Sequence, residues 1–270
     1  NSYLGGMLTS RLGANGSYNT AFGIDGIFRV FGDDYVDLKW AQTYETGVKS
    51  QFVSFAPTRM RINWERRTEK GLGYNVSISH SGENFNPGAG FEIRDNYIAT
   101  RAQIQWGWLP EADSKLFNHS VNLQAMNFYG ATSGKLESSS FGPGWKFQTK
   151  NFLMGMIELK RMVENVEEEF TFSDDAAVPV GSYEFYGFEG MMITPMTRKM
   201  YAEMMFEGGQ FYDGSRFSYT ISPFMNLSSS FLLSGTYQFD VVNFNKRQQD
   251  FVNHITRIKL EFMHSTKLSA

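Results

Sequence analysis

The sequence predicts an all-β protein, an antiparallel transmembrane β-barrel or a section of one, with roughly 12–14 long strands. Three observations lead to this prediction. Apolar and polar residues alternate in segment after segment, as they do in a strand whose two faces meet different surroundings. Several of these segments run for about 9–12 residues, whereas strands of soluble proteins average about 5–6. The composition favours strands too, with 16% aromatic residues, 26 Gly and only 7 Pro in 270 residues.

Alternation is clearest in the first half of the chain, and the segment 59–67 shows it best. There Arg61 and Glu65 alternate with Met60, Ile62 and Trp64. The other segments that alternate in this way are 21–30, 35–44, 72–80, 97–108 and 117–129. Each predicts a strand that turns one face to water and the other to something apolar.

The second half of the chain follows the same rhythm less regularly. The strands predicted there are 134–141, 145–163, 182–193, 199–212, 215–225, 229–242 and 252–264. The turn-forming residues of "SSSFGPG" (138–144) predict a connection between two of them. The segment "LKRMVENVEEEF" (159–170) has apolar residues at helical spacing, so it is either a helix or the end of a long strand.

The apolar faces of these strands can be covered in two ways. A membrane barrel turns them outward to lipid and keeps a wet, charged interior, whereas a soluble sandwich packs them between two sheets. Strand length favours the barrel, and so does the position of aromatic residues near predicted strand ends, at Tyr44, Trp106, Trp108 and Tyr129. We therefore expect one β-barrel domain over residues 1–270 and outer-membrane lipid as its surroundings.

Charge and cysteine content exclude several classes of function. The formal net charge is −3 and the pI is about 5.9, so we expect no nucleic-acid partner. Because the chain has no cysteine, it can form neither a disulfide nor a thiolate nucleophile. His80, His119, His254 and His264 show no metal-ligand spacing, and no phosphate-binding loop or nucleophile elbow is present. We predict no cofactor, no metal and no catalytic residue.

Five stretches together suggest a family. They are "NSYLGGMLTSR" (1–11), "GIDGIFRV" (23–30), "ENFNPGAGFEIRDNY" (83–97), "VPVGSYEF" (178–185) and "GGQFYDGSRF" (208–217). In this order the chain resembles a family of large outer-membrane β-barrel proteins of Gram-negative bacteria whose function is uncharacterised. Family members often carry an N-terminal carbohydrate-binding module of the family-nine type, to which nothing in this chain corresponds.

The resemblance implies a location and a range of partners. It implies the outer membrane as the location, and it implies that this chain is an internal section of a larger barrel. A glycan or another surface ligand that binds or passes, and other envelope proteins, are the partners it suggests. The alternative is a secreted or periplasmic carbohydrate-active enzyme or sugar-binding sandwich, because acidic loops and aromatic residues that stack on sugars are also present.

The loop "FNPGAGFEIRDN" (85–96) contains the first group of candidate site residues, Glu92, Arg94 and Asp95. Its Pro and Gly residues make a tight connection between strands. Two interpretations are open. The loop folds inward and narrows a lumen or shapes a binding site, or it is a turn with an ion pair beside a strand end.

The second group is a ladder of charged residues on the polar faces of the strands. Its members are Arg29, Asp37, Lys39, Arg59, Arg61, Glu65, Arg67 and Arg101. Rows of arginine select anions and bind sugars and carboxylates. The alternative is a solvated barrel wall whose charges pair across strands.

Acidic runs form a third set. They are Asp33 and Asp34, Glu167 to Glu169, and Asp174 and Asp175. Paired carboxylates can hydrolyse glycosides, and oxygen clusters can bind Ca²⁺. The spacing of a calcium loop is missing, so we interpret these runs as solvated loops.

Overall fold

The computed structural model describes residues 2–48, 54–173, 176–265 and 268–269. These residues form 17 strands and one 3₁₀ turn, Asn245–Arg247. The strands are β1 (Tyr3–Leu12), β2 (Tyr18–Phe31), β3 (Asp34–Glu45), β4 (Thr58–Arg66), β5 (Gly71–Ser81), β6 (Tyr97–Trp108), β7 (Leu116–Gly130), β8 (Leu136–Thr149), β9 (Met154–Val166), β10 (Phe170–Ser173), β11 (Ala176–Val178), β12 (Gly181–Ile193), β13 (Met200–Phe211), β14 (Gly214–Asn226), β15 (Phe231–Phe244), β16 (Gln249–Ser265) and β17 (Leu268–Ser269).

Strand length agrees with the prediction. Fourteen of these strands have nine or more residues, and only β10, β11 and β17 are short. The predicted fold class, an antiparallel all-β protein with the long strands from which membrane barrels are built, is confirmed. No helix among the described residues is long and apolar enough to cross a membrane.

The chain divides into two compact units. The first unit comprises Asn1–Gln105 and Gln124–Ser139, and the second comprises Trp106–Leu123 and Ser140–Ala270. In the first unit β1 to β5 pair in chain order, each strand antiparallel to the next. Short turns permit this order because each strand can fold back directly on the one before it.

The second unit continues in the same way with one interruption. Strand β9 pairs with β12, and β12 to β16 then pair in chain order. The short strands β10 and β11 form a separate hairpin between β9 and β12. Val178 of this hairpin packs in an apolar cluster with Val242 and Phe244, against the rings of Phe172 and Phe211.

The distribution of side chains is the reverse of that in a soluble core. Ile62 is 54% exposed and Trp64 is 45% exposed, while Asn63 between them is 4% exposed. Along the chain the exposed side chains include many large apolar ones, and the buried polar ones include Thr43, Ser77, Ser81 and Asp240. The strands therefore expose many of their large apolar side chains, and part of the polar face is shielded from water.

One local prediction was wrong, and the structure decides a second one that the sequence had left open. The predicted connection at "SSSFGPG" does not exist, because β8 runs through it from Leu136 to Thr149. Gly142 permits this, since a Cβ there would lie 1.7 Å from the carbonyl oxygen of Leu159 on β9. The segment 159–170 is not a helix. Its first eight residues end the long strand β9 and its last belongs to β10.

Candidate functional site

The polar face of the first unit brings the predicted charged ladder together. Lys39 lies directly opposite both Asp25 and Arg61 in the sheet register. One step further along the strands, Asn63 lies opposite Asp37 and Ser77. These residues share a face because side chains two apart in a strand point the same way.

Most charges of this ladder have a partner. Lys39 Nζ lies 3.6 Å from Asp37, and Arg67 Nε donates to Glu65 Oε1 at 2.5 Å. The guanidinium of Arg67 also lies over the ring of Tyr35, 4.4 Å from its centroid. Arg29, at the end of β2, pairs with Asp33 in the following turn, at 3.3 Å. All three ion pairs join residues two or four apart in the chain, not residues on neighbouring strands as the barrel-wall interpretation expected, and the role of these residues stays a prediction.

Three predicted site residues are different, because no partner for them is found within the described chain. Arg61 and Arg101 are exposed on strands β4 and β6, and Asp95 is exposed in the loop before β6. The two guanidinium groups are therefore available to an anionic or hydroxyl-rich ligand. Their role in binding stays a prediction.

The loop 82–96, between β5 and β6, is fastened to the ends of β2 and β3. Asn19 donates to the carbonyl of Asn86 and accepts from the amide of Gly88, both at 2.8 Å. Asn86 also donates to Glu45 Oε2 at 2.8 Å. Asn19 and Glu45 lie opposite each other on the same face as Asp37, so the loop lies against the polar face.

The buried hydroxyl of Thr43 forms hydrogen bonds with the same loop. Thr43 is 1% exposed, and its Oγ1 accepts from the amide of Asn86 at 3.2 Å. The hydroxyl lies 3.3 Å from the carbonyl of Asn84, to which it donates. Backbone polar groups of a loop that leaves water need such partners, and Thr43 supplies two of them.

Two ion pairs fasten the second half of the loop. Arg59 Nη1 lies 2.6 Å from Glu92 Oε1 and 2.6 Å from the hydroxyl oxygen of Tyr97. Arg94 Nη2 donates to Glu137 Oε2 at 2.6 Å, and its guanidinium lies over the ring of Phe128 at 4.7 Å. The loop therefore has the ion pairs beside strand ends that the second interpretation expected, and whether it narrows a lumen or shapes a binding site stays a prediction.

The acidic runs are less uniform than predicted. Asp34 is not in a solvated loop, because it is 2% exposed and is bound by Arg66 at 2.6 and 3.2 Å and by the Tyr74 hydroxyl at 2.7 Å. Glu167, Glu168 and Glu169 are exposed, as expected. Asp174 and Asp175 lie outside the described residues. Nowhere in the described ranges do three His, Cys, Asp or Glu side chains group so as to hold a metal ion.

Sequence reasoning missed the residues that anchor the loop. Asn19, Thr43 and Glu45 lie far from the loop along the chain and show no motif. The available signal was their position in the alternation. Each lies an even number of residues from Asp25 or Asp37 on the same strand, so its side chain is on the same polar face. That signal places them on the correct face but does not indicate what they contact.

Comparison with known proteins adds little to this geometry. No family model matches the chain, and no curated protein matches it. Among solved structures, a double mutant and a triple mutant of the porin of Rhodopseudomonas blastica are similar at 9% and 10% identity. In each case the match covers 96% of this chain and 100% of the porin chain, with a TM-score of 0.37. A likeness at this level establishes nothing about function, and the resemblance to a family with a carbohydrate-binding module stays a prediction.

Proposed function

We propose that this chain is part of an outer-membrane β-barrel that binds polar solutes on its inner wall or lets them pass. The reversed distribution of side chains carries the proposal. Long strands expose Ile62 and Trp64 on one face and shield Asn63 on the other. In water such a surface would promote aggregation, whereas in a bilayer it is the stable arrangement.

The ends of the strands support the same location. Trp106 and Trp108 are exposed in the last three residues of β6, and Tyr44 and Tyr129 lie one residue before the ends of β3 and β7. Trp and Tyr concentrate where hydrocarbon meets headgroups, because their rings are apolar and their N–H or O–H groups need water. The aromatic residues therefore fit the borders of a membrane-spanning sheet.

The polar face supports a path for solutes. In a barrel of this orientation the ladder from Asp37 to Arg61 faces the lumen, and the loop 82–96 narrows it. Arg59 and Glu92 then fix the loop, while Arg61 and Arg101 meet the solute. Glycans and other hydroxyl-rich or anionic ligands are the class that such groups accept.

The alternative, a soluble sandwich or enzyme, has less support. A sandwich would bury Ile62, Val76 and Ile78 between two sheets, yet all three are exposed. The exposed run Glu167–Glu169 offers no buried general acid of the kind that glycoside hydrolysis needs.

The test uses the absence of cysteine from the chain. Single cysteines placed at each position from 60 to 65 in the full chain can carry a spin label without background. In lipid vesicles, labels at 60, 62 and 64 should collide with oxygen dissolved in the lipid. Labels at 61, 63 and 65 should collide with a water-soluble nickel complex, so that accessibility alternates with a period of two residues.

Two outcomes would contradict the proposal. One is equal access of the nickel complex to both sets of positions. The other is release of the unlabelled chain from vesicles by carbonate without detergent. A matched series at positions 254 to 259, on the exposed strand β16, tests whether the alternation extends to the second unit.

A further inference from the structure

Four carboxylates form one row across the polar face of the second unit. Glu189 on β12 lies directly opposite Glu158 on β9 and Glu207 on β13. The row continues through Ser218, which lies opposite Glu207 and Asp240. We call Glu158, Glu189, Glu207 and Asp240 the carboxylate row. Like charges directly opposite each other destabilise a sheet, so the row needs cations beside it.

Among the described residues, two cations form ion pairs with the row. Lys160 Nζ lies 2.5 Å from Glu189, and Arg216 Nη1 lies 3.3 Å from Glu207. Lys160 Nζ also lies 3.9 Å from Glu158, and Arg216 Nη2 lies 3.7 Å from Asp240. The row and its two cations therefore keep a net negative charge.

A buried amide without a partner lies at one end of the row. Asn122 is 5% exposed, and neither its Nδ2 nor its Oδ1 has a hydrogen-bond partner among the described residues. A Cβ added to Gly144 would lie 2.8 Å from Asn122 Nδ2 and 3.0 Å from Glu158 Cγ. The amide and the carboxylate thus flank the same glycine, and a buried amide of this kind requires a partner.

Glycines also keep the middle of the site open. Gly187 and Gly209 separate Lys160 from Arg216 in the sheet register, so neither position adds a side chain of its own between the two cations. A cavity of about 240 Å³ lies there, with Glu189 and Glu207 among the residues that line it. The φ of Gly209 is +132°, a conformation that only glycine adopts readily.

We infer that the carboxylate row binds organic cations that carry N–H donors, such as alkylammonium and guanidinium groups. Lys160 and Arg216 already present these two groups to the row. Asn122 Oδ1 adds an acceptor beside Glu158 for a further N–H. A metal ion fits less well, because no three acidic or His side chains of the described residues converge on one point.

The inference deepens the proposed function and rests on it where passage through a channel is concerned. The net negative charge of the row raises the local concentration of cations beside it, whereas Arg61 and Arg101 of the first unit favour anionic or hydroxyl-rich ligands at their own positions. Binding itself does not depend on a channel, so the two can be tested separately.

The first measurement is binding of ethylammonium to the refolded full chain in detergent micelles, followed by saturation-transfer NMR. Glu158→Gln keeps the shape of the side chain and removes its charge. We expect roughly tenfold weaker binding, since a hydrogen bond to a charged group is lost. Glu169→Gln, at an exposed position away from the row, is the matched control and should leave binding unchanged.

A second variant tests the inference independently, in case Glu158→Gln does not fold. Lys160→Met removes the internal ammonium that competes with the ligand, so it should strengthen ethylammonium binding. Tetramethylammonium, which has the charge but no N–H donor, should bind more weakly than ethylammonium to the unaltered chain. If Glu158→Gln and Lys160→Met both bind ethylammonium as the unaltered chain does, the inference is overturned.

The second measurement separates this inference from the proposed function. In planar bilayers with a KCl gradient, the reversal potential should shift toward anion preference in Glu158→Gln relative to the unaltered chain. A chain that binds ethylammonium through Glu158 but conducts no ions contradicts the passage of solutes through the proposed barrel and supports the binding site. A chain that conducts with the same reversal potential and the same binding in both forms overturns the inference alone.

Discussion

Arg59 and Glu92 are joined by an ion pair of 2.6 Å although 33 residues separate them in the chain. The pair connects strand β4 to the loop 82–96, and the hydroxyl of Tyr97 lies at the same distance from the guanidinium. Both charged side chains keep some access to water, so the ion pair contributes only moderately to the stability of the fold. Their position is what matters, because they hold the loop against the polar face.

Glu92→Gln should loosen this loop. A half-exposed pair contributes about 1 kcal/mol, so the backbone amides of residues 88–95 should exchange with deuterium roughly fivefold faster. Hydrogen exchange with mass spectrometry measures this. Glu65→Gln is the control, because it breaks the 2.5 Å pair with Arg67 on the same face without touching the loop. Equal exchange in the two variants would show that the pair does not restrain the loop.

Thr43→Val should destabilise the first unit. The substitution keeps the volume of the side chain but removes the acceptor of the Asn86 amide, in a partly buried contact beside the buried Thr43. We expect a loss of about 1–3 kcal/mol in the free energy of unfolding. Urea denaturation in detergent measures it, with Thr171→Val, at an exposed threonine, as the control. A loss of the same size in both variants would mean that the hydroxyl is not needed.

The faces of the strands could be predicted from the sequence, because the direction of a side chain depends only on the parity of its position. Arg61 and Ile62 are on the predicted faces for this reason. Register could not be predicted in the same way. Glu158, Glu189 and Glu207 lie opposite each other because of the register between three strands. The sequence of a single strand does not determine that register.

Turns and loop contacts could not be predicted reliably from the sequence either. The Gly and Pro residues at 142–144 are typical of a turn, but β8 uses them where a neighbouring backbone approaches closely. Likewise the contact of Gly88 with Asn19 spans 69 residues and depends on the folded sheet. Local propensity predicts neither, because both depend on tertiary neighbours.

Ile62→Lys separates a lipid-facing surface from a water-facing one. Since Ile62 is half exposed, a charge there would change stability by less than about 0.5 kcal/mol in a soluble protein. At the middle of a bilayer the same change costs about 2–4 kcal/mol. Folding into lipid vesicles, followed by tryptophan fluorescence in a denaturant series, measures the difference. Ile62→Leu should be neutral in either case, and a neutral Ile62→Lys would contradict the membrane assignment.

Stability should depend on Tyr212 at high pH. Burial, together with the charge of Glu164, raises the pKa of Tyr212 to about 12 from its usual value of 10.0. The unfolded chain therefore loses this proton above about pH 10 while the folded chain keeps it to about 12. The free energy of unfolding should be unaffected below pH 10 and should fall as the pH rises from 10 to 12.

Tyr212→Phe isolates this effect because it keeps the ring, which packs against Phe211 and Phe185 at 4.7 and 5.1 Å between centroids. Other tyrosines ionise in both proteins, so the difference between the two stability curves reports Tyr212 alone. The free energy of unfolding of the unaltered chain should fall relative to that of Tyr212→Phe from pH 10 upward. A difference that is constant from pH 8 to pH 12 would contradict the raised pKa.

Arg247→Met should free the hairpin of β10 and β11 in the second unit. Arg247 donates to both carboxylate oxygens of Asp213, at 2.9 and 2.8 Å, and to the carbonyl of Ala177 in the hairpin. Its guanidinium also lies over the ring of Phe244, 4.0 Å from the centroid. Methionine keeps the apolar contact and removes every hydrogen bond. We expect a loss of about 1–3 kcal/mol, since these bonds are charge-assisted and half-buried.

The effect should be local as well as global, because Arg247 donates directly to the hairpin at the carbonyl of Ala177. Chymotrypsin should cleave after Phe170 or Phe172 sooner in Arg247→Met than in the unaltered chain, as mass spectrometry of the fragments would show. Lys246→Met, at the exposed neighbouring position, is the control and should change neither cleavage nor melting temperature. Asp213→Asn should reproduce part of the effect, because it weakens the same pair from the other side. Cleavage at the same rate in Arg247→Met and Lys246→Met would mean that the apolar cluster around Val178 and Phe244 holds the hairpin without Arg247.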